Sequence, residues 1–407
     1  MPRPLSHIRV LDLSRVLAGP WASQNLADLG AEVIKVERPG SGDDTRSWGP
    51  PFLKDRYGKD TREAAYFLSV NRGKKSVTLD ISKPEGQRIA RELAAKSDVI
   101  IENYKVGGLA KYGLAYEDLR KINPRIIYCS ITGFGQSGPS AHRPGYDFIF
   151  QGMGGLMSIT GERDGEPGGG PQKVGIAVTD VLAGMYASLA ITAAIAHRER
   201  TGAGQCIDLA LLDSIVAFGA NQILNYFTSG KTPGRYGNAH ANVVPYEVFA
   251  TADGHVILAV GNDSQFASFC RVAGRPELAA DPLYATMPGR ITNRVTLIPL
   301  LREIFGQRPS GRWIAELEAA NVPCGPINDY GEVFEDPQVR HRGLKIEIPH
   351  PAGVPCPTVA SPMRFSATPV EYELPPPLLG QHTREVLGDL LGMRRQEIER
   401  LAAMKVI

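Results

Sequence analysis

The sequence predicts a parallel, doubly wound α/β protein with a second, smaller α+β domain in the middle of the chain. Three observations predict it. The 407 residues exceed what one compact core usually holds, so two domains are expected. The first third alternates short apolar runs with amphipathic ones, the pattern of strands joined by crossover helices. Further along, that pattern gives way to a hairpin signal followed by helical stretches.

The elements follow in order. "IRVLDLS" reads as a strand and "GPWASQNLADLG" as a helix closing on Gly30. "AEVIKVERPG" is a strand stopped by Pro39-Gly40, and "KSVTLDI" is another. "SKPEGQRIARELAAKSD" is an amphipathic helix with proline in its first turn, where the missing N–H costs nothing. "VIIENY" and "RIIYCSITGFG" are two more strands, and "GQCIDLALLDSIVAF" adds a strand and a helix. "LNYFTSGKTPGRYGNAHANVVP" reads as a boundary and loop region. "YEVFATADGHVILAVGN" is a hairpin turning at Asp253-Gly254, and "TNRVTLIPLLREIFG" and "SGRWIAELEAANV" are helices. Pro349 to Pro377 is expected to be an extended linker, after which "HTREVLGDLLG" returns to the first domain. The expected limits are 1–220 for the large domain, 221–340 for the small one and 341–407 for linker and return.

Composition narrows the class. With 43% hydrophobic and 22% charged residues the chain reads as a soluble globular protein. Its 45 basic and 43 acidic residues nearly cancel, so no global field favours nucleic acid or an anionic membrane. The five cysteines are widely spaced without a C-x-x-C pair, which argues against a metal knuckle or disulfide framework and for a reducing cytoplasm. The start, "MPRPLSHIRVLDLSR", lacks the apolar core of a signal peptide.

One stretch resists this picture. "GIAVTDVLAGMYASLAITAAIA", Gly175 to Ala196, is nearly all small or apolar, yet contains Asp180. A membrane span is disfavoured because a mid-span Asp costs roughly 2.5–3.5 kcal/mol on insertion scales, and no second span appears. A helix of a soluble protein is the better reading, with Thr179 or Asp180 suited to its N-cap. A carboxylate at that end is kept ionised by the helix dipole, beside N–H groups able to hold an oxyanion.

Other motifs are weaker. "GFGQSG", Gly133 to Gly138, matches a dinucleotide-binding turn, but Pro139 follows at once, and the motif needs a helix to open there. A glycine-permitted turn at a strand's C-terminal end, where α/β ligands bind, survives. Lys35, Glu37 and Arg38, and Arg72, Lys74 and Lys75, flank strands. They read either as phosphate contacts or as solvated surface charge. No H-E-x-x-H spacing and no G-x-S-x-G is present.

The ordered set of motifs resembles the family III CoA-transferases, the group containing formyl-CoA and carnitine CoA-transferases, with α-methylacyl-CoA racemase as a relative. The resemblance runs through "VLDLSRVLAGPWASQNLADLGAEVIKVERPGSGDDTR", "NRGKKSVTLDISKPEG", "IENYKVGGLAKYGL", "SITGFGQSGP", "GYDFIFQGMGGLMSITG" and "VGIAVTDVLAGMYA". It continues through "TGAGQCIDLALLDS", "GNAHANVVPYEVFATADG", "FEDPQVRHRG" and "LGQHTREVLG". It implies a large Rossmann-like domain built from both chain ends, a smaller middle domain and an interlocked homodimer. It also implies acyl-CoA and a carboxylic acid as substrates, with neither a metal nor a permanently bound cofactor. By the resemblance Asp180 is the nucleophile, forming a mixed anhydride and then an aspartyl-CoA thioester. An exposed Asp ionises near 3.9, so such a nucleophile needs no general base, only a water-poor pocket.

The resemblance also assigns CoA contacts to Leu17, Ala18, Arg38, Leu79, Asp80, Ile81, Ser82, Asn103, Tyr104, Lys105, Lys111, Thr132, Gly133 and Phe134. Tyr146 stands where the racemase branch carries a His, and a phenol with a pKa of about 10 is a poor base at neutral pH. Asn238, His240 and Asn242 stand where a substrate loop lies in relatives. They either hydrogen-bond the second carboxylate of a dicarboxylic acceptor or cap a turn. Two further readings are a racemase on the same fold and a non-catalytic acyl-CoA-binding protein.

Overall fold

The structure, a computed structural model, describes residues 2–407. The chain forms two compact units. The first joins the residues up to Leu156 with Val174–Asn221 and Arg340–Ile407, and the second joins Met157–Lys173 with Gln222–Val339. Residues 157–173, placed with the large domain in the sequence, thus group with the second unit.

The first unit is built on six parallel strands: β1 (Arg9–Asp12), β2 (Glu32–Glu37), β3 (Lys74–Thr78), β4 (Val99–Glu102), β5 (Ile127–Thr132) and β6 (Cys206–Ala210). Their order across the sheet is β3-β2-β1-β4-β5-β6, the doubly wound order whose chain reverses direction between β1 and β4. Successive residues of a strand point to opposite faces, and both faces are covered. Val10, Val33, Ile101 and Ile131 pack against α1 (Ala18–Asp28) and the long Asp180 helix, while Leu11, Ile34, Ile100 and Val77 pack against α2 (Pro84–Ala95). The second face is completed by Val386, Leu387, Ile398, Leu401 and Val406 of the C-terminal segment.

Two loop expectations change. Residues from Leu224 to Ser229 continue a helix, Ala220–Ser229, because no Gly or Pro interrupts the chain before Gly230. Within the proline-rich stretch, Pro355–Val359 forms a strand antiparallel to Lys345–Pro349. Alternate N–H groups in a two-stranded ribbon point away from the partner, so prolines at 355 and 357 cost no ladder bonds.

The second unit holds the expected hairpin, β7 (Tyr246–Ala250) with β8 (His255–Ala259), joined by a turn in which the Thr251 N–H donates to Gly254 O at 2.9 Å. Its core stacks Phe249, Phe269, Phe305 and Trp313. The fully buried Arg290 donates to the carbonyls of Val244 and Tyr284 and pairs with Asp263.

Candidate active site

Each strand of a parallel sheet delivers a loop at its C-terminal end, and one cavity opens where the loops of β1, β4 and β5 meet. Arg15, Val16, Leu17 and Ala18 come from β1, Asn103 to Val106 from β4, and Ile131 to Gly133 from β5. Arg143, Tyr146 and Asp180 are also in the lining. This is the crevice at the reversal point, where open α/β sheets bind ligands.

Asp180 lies in the first turn of α4 (Val178–Thr201), after α3 (Asp147–Met153). Neither it nor Thr179 is the N-cap. That position is Ala177, whose side chain makes no cap bond. The capping carboxylate comes instead from α3: Asp147 Oδ1 accepts from the Thr179 N–H at 2.7 Å. Gln151 Nε2 donates to Asp147 Oδ2 at 2.7 Å, and Gln151 Oε1 accepts from the Val174 N–H at 2.8 Å. The approach to α4 is therefore fixed from outside, leaving the Asp180 carboxylate free to face the cavity chemistry.

Two carboxylates at one helix start repel. Burial, and then the Asp147 charge, push the Asp180 carboxyl up to about 7. The helix dipole does not outweigh them, so this carboxyl sits well above the range of an exposed Asp. Tyr66 senses the same charges: burial and the carboxylates of Asp180, Asp147 and Asp43 push its hydroxyl up to about 12.

The start of α1 offers backbone donors. The N–H groups of Leu17, Ala18 and Gly19 begin α1, and among the described residues none has an acceptor. Leu17 and Ala18 are buried and line the cavity. Unpaired buried N–H groups at a helix N-terminus favour an anion. α4 reaches α1 because Gly184 has no side chain: a Cβ there would lie 2.6 Å from Ala18 O and 2.9 Å from Trp21. Gly184→Ala is expected to destabilise the fold by about 1–3 kcal/mol and to lower turnover, checked by thermal midpoint and initial rate.

The cavity gathers nine of the residues assigned from sequence: Leu17, Ala18, Asn103, Tyr104, Lys105, Thr132, Gly133, Tyr146 and Asp180. Asn103 is otherwise engaged: its side chain accepts from the Arg15 N–H at 3.0 Å and donates to Arg15 O at 2.7 Å. It clamps the β1 loop rather than offering a free amide. Arg38, Leu79 to Ser82, Lys111 and Phe134 do not line this cavity. Leu79 is buried in the core, Asp80 Oδ1 binds the N–H and hydroxyl of Ser82, and the Asp80 N–H donates to Val406 O. Lys111 lies over the Tyr112 ring and Phe134 packs edge-on to Phe150. No helix opens at Gly133 to Gly138; the Gln136 N–H donates to Asp208 instead.

Asn238, His240 and Asn242 belong to the second unit. There His240 Nδ1 accepts from the Asn242 N–H at 3.0 Å, and Asn242 Oδ1 accepts from Asn225 at 2.9 Å, bonds that stabilise a turn. Of the charges at β2 and β3, Arg38 is exposed and Lys75 is half-buried against Glu32 and Glu385, while the other four fit neither reading. Lys35, Glu37, Arg72 and Lys74 are buried, and each is paired: Lys35 with Asp43, Glu37 with Arg46, Arg72 with Asp28 and Lys74 with Asp12. Sequence reading also passed over Arg15 and Arg143, the cavity's two guanidinium groups, and Asp44, which pairs with Arg15 at 3.2 Å.

Comparison with known proteins decides the family. The model of CoA-transferase family III matches residues 5–383. The chain belongs to family III of the CoA-transferases. It is 50% identical over 392 residues to a succinate–glutarate CoA-transferase of Agrobacterium fabrum, spanning 96% of this chain and 97% of that one. It is 48% identical over 409 residues to a succinyl-CoA:glutarate CoA-transferase of Mus musculus, spanning 100% of this chain and 90% of that one. A crystal structure of a CaiB/BaiF family protein from Brucella suis superposes with a TM-score of 0.84 at 48% identity, covering 96% of this chain and 100% of that one. This family III enzyme therefore shares its parallel-sheet α/β fold with a solved relative.

Proposed function

We propose that this family III CoA-transferase moves CoA from an acyl-CoA, of the succinyl-CoA type, to a second carboxylic acid of the dicarboxylic, glutarate-like class. The observation that carries the reading is Asp180 in a cavity that also presents free N–H groups and cationic side chains. The relatives' substrates support the dicarboxylic class.

The steps need no water and no external base. An Asp180 carboxylate oxygen attacks the thioester carbonyl, the C–S bond breaks, and CoA leaves as thiolate. The thiolate attacks Cγ of Asp180, forming the aspartyl-CoA thioester and releasing the donor acid. The acceptor carboxylate then attacks that thioester, giving a second anhydride and the thiolate again. Attack on the acceptor's acyl carbon frees the new acyl-CoA and restores Asp180. Each tetrahedral stage places negative charge on an oxygen, which the N–H groups of Leu17 and Ala18 are suited to receive. Arg15, Lys105 and Arg143 provide charge for the CoA phosphates and the distal carboxylate.

The exposed apolar side chains Met185, Tyr186 and Leu189 of α4, and Phe218, favour a homodimer, interlocked as in the family. α4 is long and apolar enough to cross a membrane by length and composition, but its other face, including Ala183, Ala187 and Ile191, is buried in the sheet-facing core. The cytoplasm remains the proposed compartment.

Label exchange tests the proposal. Each acyl-CoA of a panel is mixed with its own isotope-labelled acid. Label is expected in succinyl- or glutaryl-CoA with the wild type and not with Asp180→Ala. Exchange of the α-hydrogen of a 2-methylacyl-CoA with no label transfer would establish a racemase instead. Because the Asp180 carboxyl sits at about 7 and attacks only when ionised, the rate is expected to rise with pH, about tenfold per unit below that value and levelling above it. A flat profile from pH 5 to 8 would contradict the assignment.

A further inference from the structure

We propose that Asp43, anchored by Lys35, is a positioning residue that holds the β1 loop wound so that Leu17 and Ala18 present their N–H groups to the reacting carbonyl. The inference rests on the transfer reading above, in which those groups receive the developing charge.

Val16 adopts φ of +70°, a left-handed conformation that a β-branched side chain avoids. Such a turn persists only where its surroundings enforce it. The Val16 N–H donates to both carboxylate oxygens of Asp43 at 3.3 Å. The same carboxylate pairs with Lys35 Nζ at 2.9 Å and accepts the Thr45 N–H at 3.0 Å and the Thr45 hydroxyl at 2.8 Å. Lys35 Nζ also donates to Ser14 O at 2.9 Å, two residues before the strained position. On the other side, Asn103 holds both peptide groups of Arg15.

The anchor lies outside the cavity it shapes. The Lys35 and Asp43 side chains are 1% and 0% exposed, and neither lines the cavity. Burial alone would raise the Asp43 carboxyl, but the Lys35 charge and the hydrogen bonds from Lys35 and Thr45 bring it down to about 2. It is an anion throughout the working pH range. A buried ion pair is weak evidence for stability by itself. Here it meets Val16, a strained residue of the cavity lining, which gives it a task in positioning.

The test uses Asp43→Asn with Lys35→Met in one variant, which removes both charges and leaves neither buried alone. kcat is expected to fall about tenfold or more as the turn relaxes, with a much smaller change in KM for acyl-CoA. Adding Val16→Gly is expected to restore most of the rate, since glycine takes a positive φ without strain. Should the double variant fail to fold, Thr45→Val leaves both charges and removes one bond orienting Asp43; it is expected to lose a few-fold in kcat, again relieved by Val16→Gly. An unchanged kcat in the folded variant, or a loss that Val16→Gly does not relieve, would overturn the role. A wild type that transfers no label contradicts the transfer reading itself; a wild type that transfers normally beside an unaffected variant contradicts only the role of Asp43.

Discussion

Replacing Asp180 by Asn is expected to abolish CoA transfer while making the folded chain more stable near neutral pH. The amide cannot form the anhydride, so the rate should fall by about 10⁴-fold or more, to the level left by binding alone. The stability change has the opposite sign. The folded chain holds this carboxyl at about 7 rather than 3.8, by burial first and Asp147 second. An acid whose folded pKa is raised penalises the folded state from its unfolded pKa upward, until the penalty levels off above the folded value. At neutral pH that penalty is about 4 kcal/mol at most, and Asn removes it. The gain over wild type should be absent at pH 3.5, grow between pH 4 and 7, and stay level above. Equal midpoints for wild type and variant at every pH would show that the carboxyl is not strained by its surroundings.

Arg46→Met is expected to be among the most destabilising single changes. Arg46 donates to Glu37 at 2.7 and 2.8 Å, to Glu63 at 3.3 Å and to Pro377 O at 3.0 Å, and its guanidinium stacks 3.6 Å over the Phe67 ring. All three charged side chains are buried. Burial alone would raise the Glu37 carboxyl, yet the Arg46 hydrogen bonds and charge, with Lys35, lower it below the usual value. A depressed carboxyl stabilises the fold above its unfolded pKa and loses that contribution as pH falls through the folded one. Without Arg46 two carboxyls remain buried without their cation, a loss of about 3–5 kcal/mol. The loss should be larger at pH 8 than at pH 5, where the carboxyls can take up protons. Denaturant midpoints at the two pH values check both size and sign.

The reading of the sequence reached the sheet because β1, β2, β4 and β5 are largely buried on both faces, and such strands are rich in Val, Ile and Leu. The family resemblance, not the strand pattern, supplied the cavity residues Leu17-Ala18, Asn103 to Lys105 and Thr132-Gly133. Lys35, Arg72 and Lys74 were misplaced for a physical reason. A lysine beside a strand looks solvated until the partner carboxylate is known, and those partners, Asp43, Asp28 and Asp12, are 8, 44 and 62 residues away. Asp180 was found, but not the surroundings that raise its carboxyl, burial first and then Asp147, which a single helix pattern cannot place beside it. The cap of α4 was invisible for the same reason, since it comes from another helix. Arg15 stood next to the recognised Leu17-Ala18 pair, and its position at the end of a buried strand was a usable signal.

The most direct test of the account is to trap the covalent enzyme. Enzyme incubated with succinyl-CoA and no acceptor is quenched with hydroxylamine, digested and analysed by mass spectrometry. The account predicts a hydroxamate at Asp180, dependent on the acyl-CoA and missing from Asp180→Asn. Unmodified Asp180 in enzyme that still transfers label, or a modification at another residue, would contradict the account.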